Sequence, residues 1–186
     1  MFSEASHLLA NDHHELDEVI KQLETALHAG DVEMSHAKLD LFWARLAVHI
    51  RAEHLHLFPS VLRALQKKET TISDVAGVDY ASSLIEQLRQ DNDFFMHELG
   101  RAVDLVRTLL KESDAYIVRA ALERVGRCIN RVKQQLGNHN EAEEAQIYRW
   151  LSRLLDASEL AELKSQISVE LGKRPTRFSD TVWTNI

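Results

Sequence analysis

Two pairs of histidine and glutamate at a four-residue spacing stand out in this 186-residue chain. His49 and Glu53 form one pair, and His139 and Glu143 form the other. Residues four apart lie one above the other on the same face of an α-helix. Each pair would therefore present an imidazole and a carboxylate to the same point. This combination of nitrogen and oxygen ligands suits iron, manganese or zinc.

The apolar residues next to these pairs indicate which way they face. Each histidine continues an apolar run at helical spacing, with Leu39, Phe42 and Leu46 before His49, and Val132 and Leu136 before His139. His13 is followed at the same kind of spacing by Leu16, Ile20, Leu23 and Leu27. Helical phase therefore directs His13 and both pairs toward the protein interior. A buried ionised glutamate is costly unless it is paired or binds a metal. The pattern predicts a metal site with His13, His49, Glu53, His139 and Glu143 as ligands.

Each of these features also has a simpler interpretation. A single inward histidine is commonly a hydrogen-bonded core residue, and a single His-x-x-x-Glu pair commonly lies on a helix surface. His56 falls close to the His49 line and three residues after Glu53, so it is a further candidate ligand; packing in the core is its alternative. Helical phase places His14, His54 and His97 on outward faces.

The elements that would position these residues are all helical. Apolar periodicity predicts long amphipathic helices over residues 4–29, 31–65, 79–111 and 115–155, and a short helix over 158–171. Asp31 is expected to cap the second helix and Ser158 the short one. Pro59 should kink or break the second helix, and residues 67–78 form a loop. The predicted fold is all-α: an antiparallel up-down four-helix bundle over residues 1–155. A short C-terminal fifth helix and tail, residues 156–186, would pack on or beside it.

Composition narrows the function further. Acidic residues outnumber basic ones by 29 to 22, which argues against a nucleic-acid binder. Cys128 is the single cysteine, so a disulfide within the chain and a cysteine metal cage are both excluded. No apolar stretch reaches the roughly 20 residues of a membrane span, and the N-terminus does not resemble a signal peptide, so a cytoplasmic protein is expected. Signatures of a phosphate-binding loop, a zinc protease or a nucleophile with its base are missing, and nothing marks the chain as an enzyme.

The sequence also contains an internal repeat. Asp12 and His13 precede the first His-x-x-x-Glu pair, and Asp91 and Asn92 precede the second. The repeat suggests one helical hairpin used twice. In this alignment Asn92 takes the place of His13, whereas a symmetric site would have histidine at both positions.

Three segments carry a resemblance to a known family: DHHELDEVI, HIRAEHLHLFP and HNEAEEAQIY. Over about residues 5–155 the chain resembles the hemerythrin-like, or HHE cation-binding, domain. The resemblance implies a four-helix bundle that holds a non-haem di-iron centre. Its ligands would be His13, His49, Glu53, His139 and Glu143, with the two carboxylates bridging the irons. Members of this family bind oxygen or nitric oxide, sense redox state, or donate iron for iron–sulfur repair.

The chain departs from the family pattern in the third helix, where Asn92 stands in place of a histidine. Neutral asparagine is a weak ligand through its carbonyl oxygen. Three outcomes follow from this. His56 could supply the missing nitrogen, the open position could take water or a small ligand, or the site could hold one metal or none. Another divalent metal could also replace iron.

Three functions are consistent with these features. The first is a cytoplasmic iron-binding protein that handles O2 or NO or senses redox or iron state. The second is an iron donor for iron–sulfur cluster repair, although the first 127 residues lack the cysteine that such members carry. The third is a helical bundle with a degraded metal site that acts as an interaction module, with a homodimer formed through the tail and Trp183.

Overall fold

The structure is a computed structural model that describes residues 3–68 and 78–173, and nearly all of them are helical. The α-helices are α1 (Glu4–Ala29), α2 (Val32–Ala52), α3 (Phe58–Lys68), α4 (Val78–Leu109), α5 (Ala115–Ala142), α6 (Tyr148–Leu154) and α7 (Ala157–Leu171). Two π-helical turns, Glu53–Leu57 and Glu143–Ile147, lie between α2 and α3 and between α5 and α6. The described residues contain no β-strand, so the all-α prediction is confirmed.

The ends of α1 and α2 follow the signals in the sequence. Gly30 adopts a positive φ of 72°, and Asp31 donates its backbone N–H to the carbonyl of Ala26, which closes α1. The Asp31 side chain then accepts from the backbone N–H of Met34 and caps α2. The first helix therefore has the predicted bounds, and the turn after it is set by one glycine and one aspartate.

The cap of the short C-terminal helix differs from the prediction. Asp156, and not Ser158, caps α7, and its carboxylate accepts from the backbone N–H groups of Ser158 and Glu159. Glu159 reaches back to the Asp156 N–H and completes a capping box. A carboxylate satisfies two helix N–H groups and opposes the positive end of the helix dipole, which one hydroxyl does less well.

The helix predicted over residues 31–65 is interrupted, as Pro59 suggested, but the break has another form. The π-helical turn Glu53–Leu57 precedes Pro59, which lies in the first turn of α3. Proline has no N–H, so Pro59 donates no backbone hydrogen bond to the turn before it. The second π-helical turn, Glu143–Ile147, has no proline near it. Proline is therefore not the common cause of the two turns.

The chain divides into two compact units. Unit 1 comprises the described parts of Met1–His13, Val48–Asp93 and Gly137–Lys173. Its core is apolar and fully or nearly fully buried, and it includes Leu9, Leu57, Phe58, Ile85, Tyr148, Leu151 and Ile167. Helix α7 belongs to this unit and packs against the first π-helical turn, and α3 packs against α6. All the candidate ligands lie in unit 1.

Unit 2 comprises His14–Ala47 and Phe94–Leu136. Its predicted apolar stripes are buried, including Leu16, Ile20, Leu23, Leu39, Phe42, Leu46, Phe95, Leu99, Val125, Ile129 and Val132. Ion pairs lie around them, with Lys133 Nζ 2.9 Å from Glu24 Oε1 and Arg131 Nη2 2.9 Å from Glu98 Oε2. Unit 2 contains none of the five predicted metal ligands.

Two predictions fall on residues beyond this description. Most of the predicted loop over residues 67–78 lies at positions 69–77, outside the described residues. The tail with Trp183, which was the suggested dimer contact, also lies outside them. Within residues 3–68 and 78–173, no helix combines the length and the apolar character needed to cross a bilayer.

Candidate metal centre

Four buried side chains meet in unit 1: His13, His49, Glu53 and Glu143. One ligand atom from each lies within 4.8 Å of the others. None of the four residues is more than 3% exposed. They come from α1, α2 and the first residues of the two π-helical turns. Such a group of two imidazoles and two carboxylates can hold a metal ion.

The distances within the group match the spacing of metal ligands. His13 Nε2 lies 3.1 Å from His49 Nε2 and 3.5 Å from Glu143 Oε2, and His49 Nε2 lies 2.6 Å from Glu53 Oε1. Ligands held about 2.0–2.2 Å from one metal lie roughly 3–4 Å from each other. A cation could therefore be held by all four side chains with small adjustments.

Carboxylates behind the two rings orient the imidazoles. His49 Nδ1 donates to Asp12 Oδ2 over 2.9 Å, and His13 Nδ1 lies 3.3 Å from Glu144 Oε1. When each ring is neutral and carries its proton on Nδ1, the lone pair of each Nε2 is directed into the group of four. Metal-binding histidines characteristically have such a carboxylate partner, which fixes the tautomer and makes the ring a better ligand.

Replacing Asp12 by alanine should therefore weaken metal binding without removing a ligand. Loss of the carboxylate frees the His49 ring to rotate and to change tautomer. We expect affinity for iron to fall by about 10- to 100-fold, as measured by equilibrium dialysis. Asp17→Ala, at an exposed position of α1, is the matched control and should bind iron like the unchanged protein. Equal affinity in the Asp12 and Asp17 variants would contradict this role.

The two carboxylates cannot both be ionised at low cost. Burial raises the pKa of Glu143, and the negative charge of Glu53 raises it further, to about 8. Burial also acts to raise the pKa of Glu53, but the neighbouring His49 outweighs it and lowers that pKa to about 2. One carboxyl is thus protonated and the other ionised at neutral pH, which is the expected compromise for two acids that share a dry site.

The two histidines are separated in the same way. Burial lowers the pKa of His49, but Glu53 and Asp12 together overcome it and raise the pKa to about 10. Burial and the positive charge on His49 lower the pKa of His13 to about 4. In the metal-free protein, a proton on His49 and a proton on Glu143 therefore neutralise the negative charge of the two glutamates. A bound cation would do the same in their place.

His139 lies beside this group but is not one of the four. Its Nε2 is 3.9 Å from Glu143 Oε1, and its Nδ1 is 3.6 Å from Asp91 Oδ2. The residue is 2% exposed. His139 thus faces the second oxygen of Glu143 and has a carboxylate behind its ring, as His49 has Asp12. His139 therefore lies next to the group of four, on the far side of Glu143.

The π-helical turns begin at the two glutamates. The backbone N–H of Phe58 donates to the carbonyl of Glu53, and that of Tyr148 donates to the carbonyl of Glu143. Each hydrogen bond spans five residues, and such turns within α-helices are frequent at functional sites. Both turns follow the same His-x-x-x-Glu pattern, so the internal repeat seen in the sequence extends to the backbone.

The first π-helical turn corrects two expectations about histidines. The structure does not bring His56 to the metal centre, because its Nε2 lies 3.9 Å from Glu170 Oε2 on α7. His54, expected to face outward, is half-buried and lies near the site, with its Nε2 3.3 Å from Asn92 Nδ2. A π-helical turn has more residues per turn than an α-helix, so residues after Glu53 lag behind the phase expected from the sequence.

Asn92 reaches the site as a hydrogen-bond donor. It is 1% exposed, and its Nδ2 donates to Glu53 Oε2 over 2.8 Å. The sequence placed Asn92 correctly in the repeat as the counterpart of His13. What the sequence did not indicate is that its N–H group, and not its carbonyl oxygen, faces the carboxylate.

One aromatic residue, Tyr148, contacts the site. The hydroxyl of Tyr148 donates to Glu143 Oε2 over 3.4 Å, and its ring stacks on that of His13 with centroids 6.3 Å apart. Burial and the charge of Glu143 hold the pKa of Tyr148 well above its usual value. Trp150 instead packs edge-on against Tyr80, and Trp43 belongs to unit 2.

The outward histidines agree with their helical phase. His14 and His97 are exposed, as predicted. Sequence reasoning missed Asp12, Asp91 and Glu144 as partners of the imidazoles. Asp12 and Asp91 could have been found from the internal repeat, because each lies one residue before the counterpart positions His13 and Asn92.

Comparison of the chain with protein-family models, with curated proteins and with solved structures found no match in any of the three.

Proposed function

We propose that this chain is a non-haem iron protein of the hemerythrin-like type that binds a small diatomic ligand, O2 or NO. In this proposal the long helices form an antiparallel four-helix bundle, with the metal centre inside it. The observation that carries the proposal is the meeting of His13, His49, Glu53 and Glu143 within 4.8 Å in a buried site. Bundle cores are common places for metal sites built from side chains of facing helices.

The ligand types support iron. Imidazole and carboxylate together suit iron, and the absence of thiolate from the group disfavours a site of the structural zinc kind. The doubled His-x-x-x-Glu pattern supports two metal positions. His13 and His49 would serve the first and His139 the second, with Glu53 and Glu143 between them.

The surrounding residues would keep the centre dry and hold its ligands in place. Phe58 and Tyr148 are fully buried beside the two glutamates. Asp12, Glu144 and Asp91 lie behind the three imidazoles. Iron bound in this site would supply redox chemistry and a coordination position for the diatomic ligand. The protein would supply the orientation of the ligands and the exclusion of water.

Absorption spectroscopy of the iron-loaded protein tests this function. Protein loaded with ferrous iron without oxygen should change its visible spectrum on addition of O2 or NO, and removal of the gas should reverse the change. His97→Ala, which lacks only an exposed imidazole, should behave identically. Iron-loaded protein whose spectrum responds to neither gas would refute the proposed ligand class and leave the metal site itself standing.

A further inference from the structure

The two halves of the site make the same contacts with different residues. His13 Nε2 lies 3.5 Å from Glu143 Oε2, and its repeat counterpart Asn92 donates from Nδ2 to Glu53 Oε2 over 2.8 Å. His13 also meets Glu144, the residue after one glutamate. Asn92 likewise meets His54, the residue after the other glutamate. The site therefore has an approximate two-fold internal symmetry, which Asn92 breaks.

The Asn92 amide is held as a donor by two acceptors. Its Nδ2 faces Glu53 Oε2 at 2.8 Å and His54 Nε2 at 3.3 Å, so both hydrogens of the amide group have partners. Presenting the carbonyl oxygen to a cation would require the amide to turn over and both contacts to be lost. Asn92 in this orientation offers an N–H group where His13 offers a lone pair.

The two halves of the site also differ in the residue that follows each glutamate by five positions. Tyr148 follows Glu143 by five residues and donates its hydroxyl to that carboxylate. The corresponding residue after Glu53 is Phe58, which is fully buried and has no hydroxyl. Glu143 thus accepts a hydrogen bond from the Tyr148 hydroxyl, whereas Glu53 accepts one from the Asn92 amide.

We propose that the two metal positions are unequal. The position formed by His13, His49, Glu53 and Glu143 binds its ion tightly. The position at His139 and Asn92 has the His139 imidazole and the shared carboxylates, while the His54 Nε2 accepts from the Asn92 amide, and this position binds its ion weakly and exchanges it. This inference rests on the proposed iron site and specifies its loading: the second ion enters and leaves while the first remains.

Equilibrium dialysis of the metal-free protein against ferrous iron under anaerobic conditions tests this inference. The unchanged protein should take up the first ion at a free iron concentration about 10- to 100-fold lower than the second. Asn92→His adds an imidazole, and Asn92→Asp adds a carboxylate at nearly unchanged volume. Each should reduce that separation by about tenfold or more. Asn130→His, at an exposed position of α5, should leave both steps unchanged.

The outcomes separate this inference from the proposed function. Uptake of two ions at the same free iron concentration by the unchanged protein would overturn the inequality and keep the iron site. A separation that persists in Asn92→Asp, with circular dichroism showing an intact fold, would overturn the role of Asn92. No uptake of iron by the unchanged protein would overturn the iron site and the inequality together.

Discussion

Replacing His49 by alanine should lower iron affinity by more than about 100-fold. This is a larger effect than that expected for Asp12→Ala, which removes only the carboxylate that orients the His49 ring. His49 is the centre of the group, since its Nε2 lies 3.1 Å from His13 Nε2 and 2.6 Å from Glu53 Oε1. Its removal takes away one ligand and leaves the neighbouring carboxylate without its cationic partner. Equilibrium dialysis against ferrous iron measures the change.

His97→Ala is the matched control, since it removes an exposed histidine from the described helices. Glu143→Gln provides a second, isosteric test that removes a carboxylate ligand but keeps the shape of the side chain. Thermal unfolding followed by circular dichroism establishes that each variant is folded. If folded His49→Ala and Glu143→Gln bind iron as tightly as the His97 variant, the ligand assignment is wrong.

Raising the pH from 6.5 to about 8 should destabilise the metal-free protein and strengthen its iron binding. The pKa of His49 is raised from 6.5 to about 10, and that of Glu143 is raised from 4.5 to about 8. Over most of this pH window the folded protein holds protons on both groups, whereas the unfolded chain releases them. His13 acts in the opposite direction near pH 6.5, because its pKa is lowered to about 4 and only the unfolded chain binds a proton there. The two protonated groups outweigh it, so folding stability falls as pH rises, by about 1–2 kcal/mol per pH unit.

Iron binding has the opposite dependence because a ligand must lose its proton before it can bind a metal. The ion displaces the protons of His49 and Glu143, so a lower proton concentration favours binding. Urea denaturation of the metal-free protein and iron dialysis, each at pH 6.5 and 8, measure the two trends. Glu143→Gln should flatten the stability trend, since one of the two titrating groups is gone. Metal-free stability that rises across this window would contradict the protonation assigned to the site.

The sequence predicted which buried side chains meet in unit 1 because helical phase extends through regular helices. His13 and His49 follow regular α-helical spacing, and the apolar residues on either side set their direction without any need to know the tertiary arrangement. Glu53 and Glu143 are the first residues of the two π-helical turns, so the helical spacing before them still predicts that they face the interior, and both are buried. The all-α class followed from the same periodicity.

Regular α-helical spacing gave wrong directions for the side chains that follow Glu53. In each π-helical turn the side chains rotate less per residue about the helix axis than in an α-helix, and helix propensities do not predict such a turn. One of the two turns also has no proline near it. As a result His56 was directed to the site and His54 away from it, and the structure reverses both. The donor role of Asn92 depends on Glu53 and His54, which come from another helical segment, so it could not be inferred from local spacing.

Elemental analysis of the protein purified without a metal-affinity tag, from cells grown with iron, tests the central claim most directly. We expect at least stoichiometric iron in the unchanged protein and in His97→Ala, and almost none in His49→Ala. An unchanged protein that carries no iron, and takes none up when ferrous iron is added without oxygen, would contradict it.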